Sequence, residues 1–177
     1  MKFLSAVIAS AFVSTFTFAD DVELGGMKST PPKTWKQEEP SSNMRLTQFK
    51  LPKAEGDSED AELIIFFFKG GSGSADDNLK RQLAKFKPAE GKDKVEAKVD
   101  KIKVGKIEAP YQDISGTYLK KDRPFDPAAK AVEKKDYRQL YVILITDSGD
   151  FYPTLVGPAK TVEKHKKDFE EFLKNFK

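Results

Sequence analysis

Eight consecutive residues, Ala61-Glu62-Leu63-Ile64-Ile65-Phe66-Phe67-Phe68, constrain this chain more than any other stretch. Only Glu62 is polar, and β-branched and aromatic side chains dominate. Such continuous hydrophobicity marks a central strand covered on both faces rather than a half-exposed one. Leu140 to Ile145, with Tyr141 among them, repeats the pattern and reads as a second strand buried on both sides.

The remaining segments supply the rest of a sheet and two helices. Met27 to Thr30 reads as a short strand, bent by Pro31 and Pro32, which remove two backbone donors and favour extended geometry. Trp35 then anchors the polar N-terminal segment, residues 20–40, to a single domain over residues 41–177, since an indole has more apolar area than a tether leaves exposed. Met44, Leu46, Phe49 and Leu51 alternate with a one-residue slip between Leu46 and Phe49, which predicts a bulge, and Pro52 ends that strand. Ser74 with Asp77 has capping-box spacing, and Leu79, Leu83 and Phe86 recur at helical intervals, so Ala75 to Lys87 is predicted as an amphipathic helix. Val95, Ala97 and Val99 alternate, as do Ile102 and Val104, giving one or two strands broken near Asp100. Ile107 to Tyr118 continues the β character, with Pro110 at an edge or bulge. Asp126-Pro127-Ala128-Ala129 opens a short helix toward Lys135, with Asp as cap and Pro at the first helical position. Asp147 to Asp150 turns a hairpin into Phe151 to Val156. Pro158 opens a last helix whose Val162, Phe169, Phe172, Leu173 and Phe176 share one face. The fold class is therefore α+β: a mostly antiparallel sheet with helices packed on it.

Residues 1–19 have the form of a cleaved export signal: Lys2, an apolar run from Phe3 to Phe18, and small Thr17 and Ala19 before Asp20. The expected location is periplasmic or secreted. No segment approaches the ~20 apolar residues a helical membrane span requires. With no cysteine, disulfides and thiolate metal sites are excluded. The chain carries 31 Lys and Arg against 28 Asp and Glu, a near balance that argues against a dedicated nucleic-acid binder. Lysines gather at Lys92, Lys94, Lys98, Lys101, Lys103 and Lys106, where on a strand they would line largely one solvent-facing, edge-protecting side.

Three groupings could carry chemistry. The loop Gly70-Gly71-Ser72-Gly73-Ser74 joins a strand to a helix N-terminus, a geometry that favours anions. It lacks the Gly-Lys-Ser/Thr ending of a phosphate loop, Asp76 stands where a dinucleotide loop needs a small residue, and Ser74 replaces the closing glycine of a nucleophile elbow. The loop reads as a tight turn in which Ser74 caps the helix and Ser72 is dispensable, with ligand contact as its functional alternative. His165, the only histidine, could serve Ser72 or Ser74 as a base, but it stands at the edge of the last helix's apolar face and reads as packing. Tyr118, Tyr137 and Arg138 flank the charged 119–136 segment and could line a groove beside the sheet. No cofactor or metal is expected, because one histidine and no cysteine leave no zinc ligand set and the acidic 55–60 run lacks a calcium loop's pattern.

Pro32-Lys33-Thr34-Trp35, Asn43-Met44-Arg45, Phe49-Lys50-Leu51-Pro52, Asn78 to Phe86, Gly116-Thr117-Tyr118 and Leu155-Val156-Gly157-Pro158 together resemble a group of uncharacterised exported bacterial proteins. That group in turn resembles the Mog1/PsbP-like fold. The family's helix often carries Trp after the Arg, where this chain has Gln82. The resemblance implies an α/β/α sandwich and an accessory role rather than catalysis. The chain is thus expected to be a monomeric exported binding or accessory protein whose partner is an envelope protein or a small ligand. A serine hydrolase using the 70–74 loop, or a structural envelope protein, is the alternative.

Overall fold

The computed structural model describes residues 20–121 and 128–177. The export signal expected at residues 1–19 and the helix cap expected at Asp126-Pro127 lie outside them. Among the described residues, the chain forms a small hairpin, β1 (Val22–Leu24) and β2 (Met27–Ser29), and one nine-stranded sheet. Its strands are β3 (Lys36–Glu38), β4 (Arg45–Leu51), β5 (Ala61–Phe68), β6 (Phe86–Lys87), β7 (Glu96–Val104), β8 (Ile107–Lys121), β9 (Ala131–Val142), β10 (Leu144–Thr146) and β11 (Gly149–Pro158). The order is β3-β4-β5-β11-β9-β8-β6, with β7 also beside β8 and β10 beside β11. Every pairing among these strands is antiparallel. The helices are α1 (Ala75–Leu83) and α2 (Ala159–Lys174).

The alternation of side chains along each strand assigns the two faces. Leu63 and Ile65 of β5, Leu140 and Val142 of β9, and Phe151 and Leu155 of β11 pack with Val162, Phe169, Phe172 and Leu173 of α2. Tyr141 of β9 and Tyr152 of β11, with Phe66 and Phe68 of β5, point the other way, toward Ala75 and Leu79 of α1. The two runs expected as doubly covered strands therefore sit at the centre of the sheet with a helix on either side. The bulge falls at Leu46, between Arg45 and Thr47 in register with β5. Trp35 is 3% exposed and lies between Phe49 and Phe172. The N-terminal segment contributes more than this anchor: Val22 and Leu24 are core residues, and β2 exchanges backbone bonds with Lys177.

Several expectations are corrected. α1 ends at Leu83, and Phe86, although at helical spacing from it, belongs to β6, paired with Tyr118. Residues 131–135 are strand, not helix: Ala131, Val132, Glu133 and Lys134 pair with Lys121, Lys120, Leu119 and Tyr118. Their backbone is satisfied by β8 while their side chains stay largely in solvent, so no apolar periodicity marks them. β7 runs unbroken through Asp100. Its lysines do not share one side, because Lys98 has the parity of core residue Ile102 whereas Lys101 and Lys103 have the opposite one. The second apolar run breaks at Ile143, and Ile145 is exposed. At the β7–β8 turn, Gly105 has φ +58 and a side chain there would collide with the Phe176 carbonyl, so glycine is required by conformation and by space.

Candidate functional site

β5 leads into the Gly70–Ser74 loop through a tight turn in which the Gly71 N–H bonds the Phe68 carbonyl at 3.1 Å, with Gly71 at φ +75 and Gly73 at φ +96. Ser74 is the N-cap of α1, its hydroxyl accepting from the Asp77 N–H at 3.1 Å. The Asp77 carboxylate takes the Ser74 hydroxyl proton at 2.7 Å instead of reaching back to the cap's own N–H, so the capping box is only half formed.

Beneath α1 lies a polar layer that no periodicity in the sequence announces. Ser72 Oγ stands 3.0 Å from Asn78 Oδ1 and 2.8 Å from the Tyr152 hydroxyl, which donates to Asp150 at 3.1 Å. Asn78, 4% exposed, also receives Arg81 at 2.7 Å and the Tyr141 hydroxyl at 3.5 Å, and its amide donates to the Ser74 carbonyl at 2.9 Å. Farther along the helix, Gln82 Oε1 accepts from Gln139 at 3.2 Å and from the Lys85 ammonium at 2.7 Å. Gln112 donates to the Leu79 carbonyl at 3.3 Å. The helix is thus held on the sheet by hydrogen bonds along its whole length, with Ala75 and Leu79 packed on the Tyr141–Tyr152 cluster. Ser72 is a member of this network rather than a dispensable turn residue.

Lys85, at the far end, has no carboxylate partner among the described residues. Burial, with the Arg81 charge one turn away, brings its ammonium down to about 8.

The three groupings expected from sequence separate in space. Tyr118 and Tyr137 lie on the α1 face, stacked 5.9 Å apart and 5° from parallel, with Phe86 against Tyr118. Burial and a bond to Glu59 push the Tyr137 hydroxyl up. The pair lies with Phe86 and Val95, at the end of α1 away from the Gly70–Ser74 loop. Arg138, next in sequence, projects to the α2 face, where it forks onto Asp113 at 2.7 and 2.6 Å and reaches Glu163. Burial of Asp113 opposes its charge, but Arg138 and Lys166 outweigh it and hold the carboxyl low. A single groove lined by all three of Tyr118, Tyr137 and Arg138 is not formed.

His165 is 4% exposed on α2, and its Nε2 donates to the Pro52 carbonyl at 2.8 Å. The carbonyl can only accept, so Nε2 carries the proton. Ser72 lies on the α1 face and His165 on the α2 helix, so the sheet stands between hydroxyl and imidazole. Among the described residues no group of three or more His, Cys, Asp or Glu is placed to hold a metal ion.

Two concave surfaces flank β7. On the α1 face, Leu83, Ala84, Phe86, Val95 and Ala97 line an apolar groove of about 530 Å³ rimmed by Lys80 and Lys94. On the α2 face, the core residues Ile102 and Tyr111 floor a groove of about 440 Å³ bordered by both signs of charge, Lys98, Lys166 and Lys174 with Asp100, Asp113 and Glu170. Leu83 and Val99, 37% and 55% exposed, stand on the first side. The sequence signal for this site is the apolar alternation at Val95, Ala97 and Val99: Val95 packs on the Phe86–Tyr137 cluster, whereas Ala97 and Val99 stay exposed. No protein-family model matches the chain, and no curated protein sequence matches it.

Proposed function

We propose that this chain is an exported, non-catalytic binding or accessory protein acting in the periplasm or outside the cell. The observation that carries this reading is the groove on the α1 side of β7, where Leu83 and Ala97 are exposed beside Lys80 and Lys94. The hydrolase alternative has little support: Ser72 is tied to Asn78 and Tyr152, and His165 faces the Pro52 carbonyl across the sheet. An antiparallel sheet with a helix on each face also agrees with membership of the Mog1/PsbP-like group, whose accessory roles point the same way. Among the described residues no helix is long and apolar enough to cross a membrane.

The reading is tested by recovering the tagged protein from the envelope fraction while screening parent, Ser72→Ala and His165→Ala proteins against ester and peptide substrates. A partner or small ligand in fixed stoichiometry, with no turnover, is expected. Turnover lost in both variants would overturn it.

A further inference from the structure

Among the described residues β7 pairs with β8 alone, in one unbroken register from Glu96–Ser115 to Val104–Ile107. Gly105, at φ +58, opens a two-residue turn, so Val104 and Ile107 form its hydrogen-bonded closing pair and the bonded positions alternate from there. Ile102, Asp100 and Lys98 therefore bond to β8, whereas Lys101, Val99 and Ala97 turn their N–H and C=O groups away from it. The Lys101 N–H agrees, since it is held by the Asp100 side chain at 2.9 Å. An outward-facing edge of this length is a template for a further strand.

The order of charge along β7 selects that strand. A two-fold axis perpendicular to the sheet keeps every side chain on its own face, so an antiparallel copy of β7 must be centred on a residue. Centred on Lys98, Lys101 or Lys103, the pairing opposes a lysine to itself. Centred on Asp100 it opposes carboxylate to carboxylate, and centred on Ile102 it opposes Lys101 to Lys103. Centred on Ala97, only Glu96 to Lys98 overlap within the strand. Centred on Val99, Glu96 to Ile102 overlap and no like charges meet: Lys98 faces the partner's Asp100, Glu96 faces the partner's Ile102, and Lys101 faces the partner's Ala97. Lys98 and Asp100 already pair within one chain at 3.0 Å, largely in solvent. Their copies complete a square whose edges all join opposite charges, with like charges only on its diagonals. On the α1 face, Val99, 55% exposed, meets its own copy. From this self-complementary order we infer that β7 pairs antiparallel with β7 of a second copy about a two-fold axis at Val99, joining the two sheets into one. The Asp100 carboxylate then turns to the partner's Lys98 and releases the Lys101 N–H to the partner's Ala97 carbonyl. Because the axis consumes the same edge of both copies, the pairing closes at a dimer.

This dimer replaces the monomer expected from sequence. It uses the edge of β7 and not the groove on its α1 side, so it stands or falls independently of the binding reading above. Sedimentation of the purified protein over a concentration series, joined to cysteine cross-linking, tests it. A dimer is expected. Lys98→Asp sets carboxylate against carboxylate and should weaken association at least about tenfold, while Lys98→Asp/Asp100→Lys exchanges the two charges and should restore it. The chain has no cysteine, so introduced thiols report distance directly. Val99→Cys should form an interchain disulfide on mild oxidation, because Cα atoms of an opposed, bonded pair stand roughly 5.5 Å apart, within the span of a disulfide. Ala97→Cys should not, since its own copy lies roughly 13 Å further along the strand, but Ala97→Cys/Lys101→Cys should. All these sites are exposed, so circular dichroism spectra should match the parent's. A protein monomeric at every concentration, a dimer indifferent to Lys98→Asp, one not restored by the exchanged charges, or equal cross-linking of Val99→Cys and Ala97→Cys would each overturn the inference.

Discussion

The indole of Trp35 meets the ring of Phe172 edge-on, centroids 5.5 Å apart and planes at 70°, joining the N-terminal segment to the last helix. Phe49 closes the other side at 6.1 Å, so the indole is enclosed by aromatic area while its Nε1 finds no acceptor among the described residues. Trp35→Ala should therefore cost roughly 3–5 kcal/mol. Trp35→Phe should cost less, because it removes the unpartnered N–H along with part of the ring. Urea melts check both. A Trp35→Ala loss within about 0.5 kcal/mol, ordinary for surface sites, would show that the N-terminal segment is not tied down as described.

The loop at the head of α1 separates two roles of serine. Ser74→Ala removes a cap and should cost about 1 kcal/mol. Ser72→Ala takes a hydroxyl from between Asn78 and Tyr152 and should cost about 1–2 kcal/mol, more than a turn residue would. A double-mutant cycle of Ser72→Ala with Tyr152→Phe measures their coupling. Simple additivity would mean that the two hydroxyls do not act on one another.

Lys85 gives the fold a pH dependence whose sign follows from its lowered pKa. The folded chain releases this proton at about 8, while an unperturbed lysine holds it to 10.5. Between those values the unfolded chain binds more protons, so this residue's contribution to stability rises with pH. Below about 8 the folded state carries the full penalty of the buried charge, up to about 3 kcal/mol. Lys85→Met should accordingly be more stable than the parent at pH 7, with the difference shrinking toward pH 10. A difference that does not change with pH, or a Lys85 13Cε titration midpoint in the ordinary lysine range, would contradict the burial described.

Much of the scaffold is legible from residue pattern alone, and the exceptions have identifiable causes. Ala61 to Phe68 and the Phe-rich face of α2 declare themselves because burial there is continuous or strictly periodic. Phe86 misleads, since its distance from Leu83 and Leu79 fits a helix and only its pairing with Tyr118 across β8 makes it strand. Residues 131–135 mislead in the opposite way: charged side chains hide a strand whose stability comes from β8. The polar layer was not legible, because Asn78, Gln82, Gln112 and Gln139 lie far apart in sequence and each alone looks like a surface residue. Tyr137 and Arg138 are adjacent in sequence yet serve opposite faces, because neighbours on a strand point opposite ways. The lysines around β7 read in sequence as protection of an edge, and the structure shows an apolar groove beside that edge.

The central proposal, that this protein binds a partner at the groove beside β7 and does no chemistry in the Gly70–Ser74 loop, is tested most directly by hydrogen–deuterium exchange. Amide exchange is compared for the protein alone and saturated with the partner recovered from the envelope fraction. Slowed exchange concentrated in residues 83–86 and 94–99, which border that groove, is the predicted result. Protection confined to Gly70–Ser74, with β7 unchanged, would contradict the account.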